Sequence, residues 1–499
     1  MGGISAAYAL ARLGHKVILT DPLELMGGQL VTQAVPPDEH PWIEEFGCTK
    51  TYRQIREAVR ARFRTRPGLR PEVRGDPRVN PGGGWVSRLC AEPLEWIAAG
   101  LEVWGRDVAD RITVHSGVIP VSCDVWDDRI ESVTFSDPRT NSEVVIRADY
   151  VLDATEFGDL LPLSGAEYRV GAESQRETDE KHAPREADAE DVQGFTWCMA
   201  VTWDPDATEP IERPARYEFW RKYRPEGWPG PLLGLDFPDV RTGQRSRLEI
   251  MDGPMSLFKY RQVVNPDLFE PGAGVKAATI VNWPQNDYFV ANILDKPDEE
   301  VSDALADSCQ LTLSLLYWLQ TELGFVQLQP CPELTRDGQG LALAPYIRES
   351  RRIVGLEILT EKEVGAEMNP GLNKAREIPN SVGIGAYRID LHPSPTRASV
   401  DLAALPYQIP LGCLVPVRLR NLIPACKNIS VSHIANGCTR LHPVEVNIGE
   451  SAGLLALFCH QHKVEPRQVW ESEALTQEFQ SFLTDYGVEL SWPDEVYPL

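Results

Sequence analysis

The chain opens with a run of small and apolar residues at helical spacing. The pattern predicts a helix over residues 2–11, with Gly14 placed to end it. Residues 15–21, His-Lys-Val-Ile-Leu-Thr-Asp, then read as a short buried strand ending on an acid. Residues 144–155 read as a hairpin strand leading into a second buried strand, which gives way to Glu156-Phe157-Gly158-Asp159. Residues 421–427 predict a further strand, and a helix is expected from about Asn447 to about His460. Between about Gly165 and Leu405 the pattern changes. Alternation over 195–203 predicts strands of a second sheet, and Leu311, Leu315, Leu316 and Leu319 give an apolar face to a helix over 301–323. The polar, acidic stretch 173–191 is expected to be a solvated loop. No internal repeat or low-complexity linker is visible.

The first helix and strand together form the second half of a βαβ unit. In such a unit a glycine at Gly3 lets the helix pack closely on the sheet, beside Gly2, and Asp21 accepts hydrogen bonds from a ribose. Two glycines, Gly27 and Gly28, follow with Gln29 and let the backbone approach a phosphate or a ring edge; the alternative is an ordinary turn. Ala154, Thr155 and Asp159 border a glycine turn at a strand's C-terminal end, where an acid suits a sugar hydroxyl. In the late helix, Gly449, Glu450, Ala452 and Gly453 are expected near the N-terminus, where partial positive charge stabilises an anionic ligand.

Jointly these segments resemble the FAD-dependent oxidoreductases of the glutathione-reductase structural type, closest to the bacterial FAD-dependent oxidoreductase family. Residues 80–87, 282–288, 346–352, 387–393 and 440–443 also look like that branch, so the resemblance runs from Met1 to about Cys459. It departs at Asp21, where a glutamate is usual, and at the start, where an apolar strand and Gly-x-Gly normally precede Gly2. We therefore expect Met1 to be an internal methionine with an in-frame strand upstream; its absence from the gene would refute this. The resemblance implies an α/β fold: a discontinuous Rossmann-like FAD-binding domain (1–165 and 406–465), an inserted α+β substrate domain (166–405) and a C-terminal extension (466–499). It implies FAD as cofactor and hydride transfer with a small organic substrate.

A flavin asks its protein for little beyond orientation and one proton, so histidine or arginine is the expected partner. Alternation puts Arg388, Asp390 and His392 on one strand face, and His442 lies beside Arg440 just before the late helix. These four, His392, Arg388, His442 and Arg440, are the catalytic candidates; structural ion pairing is the competing reading. Arg348, Arg351 and Arg352 suit a carboxylate or phosphate, or a helix face paired with acids. Trp85, Trp197 and Trp283 are stacking candidates, although most of the thirteen tryptophans are expected in the core.

Composition trims the alternatives. At 499 residues the chain has room for two domains or one with an insertion. Lys plus Arg number 49 against 73 Asp plus Glu, a formal charge of −24 that argues against nucleic acid or an anionic membrane as partner. No span is long and apolar enough for a membrane, and ten scattered cysteines without metal spacing fit reduced thiols in a cytoplasm. No metal is expected, and a homo-oligomer is compatible with the sequence. A nicotinamide-dependent dehydrogenase explains Gly3 and Asp21 but leaves 153–159 and 449–453 without a role. A flavin-dependent monooxygenase and a redox-inactive flavin-binding scaffold complete the alternatives.

Overall fold

The computed structural model describes residues 1–499, except for the side chains of Arg106, Asp107 and Ala109. Helix α1 (Gly2–Arg12) buries Ile4 and Ala6–Ala9, and the chain leaves it through Gly14, whose φ of +95° suits glycine and few other residues. Strand β1 (Val17–Asp21) follows. Helix α2 (Lys50–Arg64) begins where the Thr49 hydroxyl accepts the Tyr52 N–H, an N-cap. Strand β2 (Ile112–Ser116) returns beside β1 in parallel, with Val17 opposite Ile112 and Asp21 opposite Ser116. A three-stranded antiparallel meander comes next: β3 (Ile119–Trp126), β4 (Arg129–Asp137) and β5 (Ser142–Ile146). It leads into β6 (Val151–Asp153).

The middle of the chain builds a four-stranded antiparallel sheet. Its members are β7 (Met199–Trp203), β8 (Gln262–Val264), β9 (Ala278–Val281) and β10 (Leu328–Pro330), in the order β8-β9-β7-β10. Helix α3 (Asp298–Thr321) packs its leucine face into the same core as Met199, Val201 and Val281. The short pair β11 (Ile389–Leu391) and β12 (Val400–Leu402) follows. Strand β13 (Leu422–Pro424) then pairs in parallel with β6, closing a connection that spans the whole middle sheet. The chain finishes in α4 (His433–Thr439), α5 (His442–His462) and α6 (Glu473–Tyr486), with the flanks of α5 and α6 in one core cluster. The fold is mixed α/β.

Three expectations are corrected. The late helix starts at His442, well before Asn447, because Pro443 stands in its first turn, where a missing N–H costs nothing. Gly449 and Gly453 therefore lie inside the helix. A Cβ at Gly449 would sit 2.2 Å from the Gly2 carbonyl oxygen, and one at Gly453 would sit 3.0 Å from that of Ala6, so the close approach they permit is that of α1. Second, the acidic stretch 173–191 is not simply a solvated loop. Glu173, Glu180 and Asp191 are buried: Glu173 pairs with Arg352 at 3.0 Å, and Glu180 accepts from the Ser432 hydroxyl. Burial without such partners would be prohibitive. Third, the arginines at 348–352 are on no helix; Arg348 and Arg352 are almost wholly buried in extended segments.

Candidate functional site

Two neighbouring groups of residues gather around the N-terminus of α1 and the start of α5. In the first, Gly28 takes φ +51° and lies so near the start of α1 that a Cβ there would come within 2.7 Å of the Met1 nitrogen. A Cβ on Gly3 would meet Ala154 Cβ at 3.0 Å and Leu19 Cδ1 at 3.8 Å, so α1 spans the ends of β1 and β6. Asp21 ends β1. Burial raises its carboxyl to about 6, with Glu156 adding to the shift and the Leu23 N–H, 2.9 Å away, opposing it. Thr155 is held in its turn, donating to Asp153 and accepting the Asp159 N–H, both at 2.7 Å. The Asp159 carboxyl is raised by burial, with Arg351 opposing from 3.5 Å.

Gln29 ties this turn to the late helices. Its Nε2 donates to the Glu445 carboxylate at 2.9 Å and the Arg440 carbonyl at 3.1 Å. Behind it Lys427, fully buried, lies 2.5 Å from Glu156 and 3.3 Å from Glu445. Burial would raise Glu156, but the Lys427 ammonium pulls it below its ordinary value. Among the described residues, the buried oxygens of this neighbourhood without a hydrogen-bond partner include Gln29 Oε1, Gln33 Oε1 and Glu445 Oε2. Buried polar atoms are normally satisfied. This arrangement fits a cofactor that itself carries many hydrogen-bonding heteroatoms, as FAD does. Glu450 stands apart: its carboxyl faces Thr49 and Thr51, and burial raises it to about 7.

The second group surrounds Asp38, a buried residue on the loop after the Gly27-Gly28 turn. Burial pushes its carboxyl above the ordinary range even though Arg261, Arg440 and Arg348 all lie near enough to oppose the shift. The Asp38 N–H donates to His442 Nδ1 at 3.1 Å, and burial among cations lowers that imidazole to about 3. His442 is therefore neutral and fixes the Asp38 loop. Arg440 donates to the Tyr346 hydroxyl at 2.7 Å and to Asp390 at 3.2 Å. Arg348 donates to Asp287 at 3.0 Å and the Gly194 carbonyl at 2.8 Å, with its guanidinium 4.8 Å from the Tyr346 ring centre. Arg261 donates to the Asn282 carbonyl at 2.6 Å. Half-buried His392 bridges two acids, with Nδ1 2.6 Å from Asp287 and Nε2 3.4 Å from Asp390. Burial would raise Asp287, but Arg348 and His392 hold it down at about 2.

Ile389 and Leu391 point into the core, so alternation does place Arg388, Asp390 and His392 on the other face. The three then diverge: Asp390 and His392 join Arg440, whereas Arg388 pairs with Asp401. Asp38, Arg261, Glu445 and Lys427 were not singled out from sequence. The cue for Asp38 is weak: it follows Pro36-Pro37, shortly after the glycine turn. Of the stacking candidates, Trp283 is buried, Trp85 is 65% exposed, and Trp197 donates its Nε1–H to the Ala342 carbonyl at 2.7 Å. Among the described residues no helix is long and apolar enough to cross a membrane, and no cluster has metal-binding geometry.

Comparison with known protein families gives a match that covers nearly the whole chain. Residues 1–483 match the family model described as FAD dependent oxidoreductase. The chain is also similar to a variant of the E. coli quinol fumarate reductase FrdA, at 12% identity over 97% of this chain and 72% of that one, with a TM-score of 0.30. A second solved structure, AlpK, is similar at 12% identity over 99% of this chain and 77% of that one, with a TM-score of 0.28. Scores this low carry no argument about fold or chemistry. No curated protein matches the chain.

Proposed function

The chain belongs to the FAD-dependent oxidoreductase family, with FAD as its cofactor, and from this premise we propose that it transfers a hydride between FAD and a small organic carboxylate. One observation carries the substrate class. Arg261, Arg348 and Arg440 surround Asp38, and each leaves a buried Nε with no hydrogen-bond partner. A buried N–H without an acceptor costs about 1–3 kcal/mol, and a carboxylate offers acceptors in the geometry a guanidinium matches.

The flavin would be held by the α1 N-terminus at Gly2 and Gly3, where free N–H groups suit a pyrophosphate, and by the Gly27-Gly28-Gln29 turn. Asp21 would take a ribose hydroxyl, and Ala154, Thr155 and Asp159 would border the cofactor at the end of β6. Gly449, Ala452 and Gly453 serve by letting α5 support α1. Bound FAD supplies the two-electron exchange. The protein's own task is to orient the carboxylate through Arg440 and Arg348 and to manage one proton. Asp38, its carboxyl pushed above the ordinary range by burial, is the proton carrier; His392, oriented by Asp287, completes the polar wall. This reading divides the chain into a discontinuous FAD-binding domain (1–165 and 406–465), an inserted substrate domain (166–405) and an extension (466–499). The parallel pairs β1–β2 and β6–β13 on either side of the middle antiparallel sheet support that division.

The test is anaerobic titration of the FAD-loaded protein with a panel of small carboxylic acids and their amides, read at the flavin absorbance bands. An acid should change the bands where its amide does not. Arg440→Lys should raise the half-saturating concentration by about tenfold or more, roughly 1.4 kcal/mol, with flavin content unchanged. Equal responses to acid and amide would overturn the substrate class. Oxygen uptake coupled to an external reductant would identify a monooxygenase, and a flavin that answers no reductant would identify a redox-inactive scaffold.

A further inference from the structure

At the far end of α1, roughly 16 Å from its N-terminus at 1.5 Å per residue, lies an open groove of about 760 Å³. Helix α2 supplies its floor: Arg53, Arg56, Arg60 and Arg64 recur at three- and four-residue spacing and so share one helix face. Arg12 at the end of α1 and Arg78 from the loop after Pro77 close two sides. Six arginines against Glu44 and Glu57 leave the lining with a formal charge of +4, in a chain whose net charge is −24.

The arginines divide into two sets. Arg56 and Arg60 are buried and anchored. Arg56 pairs with Glu39 and Glu44, while Arg60 grips Glu44 with both terminal nitrogens, at 2.6 and 2.8 Å, and donates to the Val79 carbonyl at 3.1 Å. This consumes Glu44 and makes the floor rigid. The second set lacks such partners. Arg12, Arg64 and Arg78 form no ion pair among the described residues, and Arg64 Nε has no hydrogen-bond partner. Arg53 has only Glu489, at 3.5 Å, and the Ile43 carbonyl. Arg12, Arg53, Arg64 and Arg78 together carry more positive charge than Glu57 and Glu489 offset, and a bound anion would relieve their mutual repulsion.

We propose that this groove binds a small organic molecule carrying two or more phosphate groups, at a site separate from the flavin. Phosphate is favoured over carboxylate because the free guanidiniums come from α1, α2 and the Arg78 loop. A tetrahedral group accepts hydrogen bonds from several directions, whereas a planar carboxylate is best served by one fork. The volume is that of a small-molecule site and exceeds what a single phosphate fills. Among the described residues no aromatic side chain lines it, so the anionic groups carry the recognition.

The probe is inorganic tripolyphosphate, titrated calorimetrically into the FAD-loaded full chain at low ionic strength, with citrate as the carboxylate comparator. One saturable site is expected, weakened at least tenfold in the Arg64→Ala/Arg78→Ala double variant. Both side chains lack partners, so the variant should keep the parent's flavin spectrum and thermal midpoint. Failure to saturate, or unchanged affinity in the double variant, overturns the site. Citrate binding as tightly as tripolyphosphate overturns the phosphate assignment, and loss of binding in Arg440→Lys alone would move the anion to the flavin pocket.

Discussion

Glu450 is fully buried in the middle of α5, and neither carboxyl oxygen has a hydrogen-bond partner within bonding geometry. Burial raises its folded value to about 7, against an unfolded carboxylate near 4.3. The folded state thus holds this proton more tightly than the unfolded state does. The group's contribution is full below the unfolded value and is lost as pH rises through about 7. Glu450→Gln should therefore be more stable than the parent at pH 8, by on the order of 3 kcal/mol, with the difference shrinking toward pH 5. Urea midpoints that move in parallel for both proteins across that range would refute this. Asp38 offers a second test. Asp38→Asn should lower the rate of substrate-dependent flavin reduction by roughly 10²–10⁴-fold and remove the limb of the pH profile that titrates above the ordinary carboxylate range. A profile that keeps the limb would refute this role for Asp38.

The contact between α1 and α5 is where helices approach most closely through glycine. At Gly449 an added methyl meets Gly2 backbone at 2.2 Å, which neither helix can relieve without separating, whereas at Gly453 the nearest atom is at 3.0 Å. Gly449→Ala should cost about 1–3 kcal/mol and reduce flavin retention, with Gly453→Ala milder on both counts, as read from urea midpoints and the flavin-to-protein absorbance ratio. Local signals made much of this layer readable in advance. The small-residue spacing of α1, its glycine stop and the leucine face of α3 each lie within a few turns of chain. The start of α5 is harder to place from sequence, because a proline such as Pro443 suits a loop before a helix as well as the helix's own first turn. Asp38, Lys427 and Arg261 escaped for a different reason. A lone charged residue is exposed by default, and its burial is decided by partners far away in sequence, such as Glu156 for Lys427. The acidic stretch around Glu173 misled in the same way: polarity marks a need for partners as readily as a need for water.

Two large apolar clusters organise the molecule, one drawn from residues 195–347 and the other from 359–488. The elements proposed to hold FAD belong mainly to the second cluster and to the smaller one beneath α1. FAD at a hundredfold excess over its dissociation constant should stabilise the folded chain by about 2.7 kcal/mol. If the proposed division holds, calorimetry should show that gain in the transition that melts α1 and α5, with the transition of the middle sheet moving less. Equal movement of the whole profile would mean that both clusters unfold as one unit.

The parallel pairing of β6 with β13 also bears on how the protein is made. Leu152 faces Ile423 across that ladder, so the strand that completes the pair leaves the ribosome only after the entire middle sheet has been synthesised. Until then Val151 and Leu152 have an open edge, and the small-residue face of α1 has no α5 to cover it. Contacts separated by so much chain form slowly, because loop-closure entropy must be overcome before they reward folding. The middle sheet, whose partners are nearer in sequence, is therefore expected to fold first during synthesis and hold β6 and β13 within reach of each other. The nascent chain then carries its greatest risk of aggregation in its earliest residues, and chaperone capture of stalled chains should concentrate there.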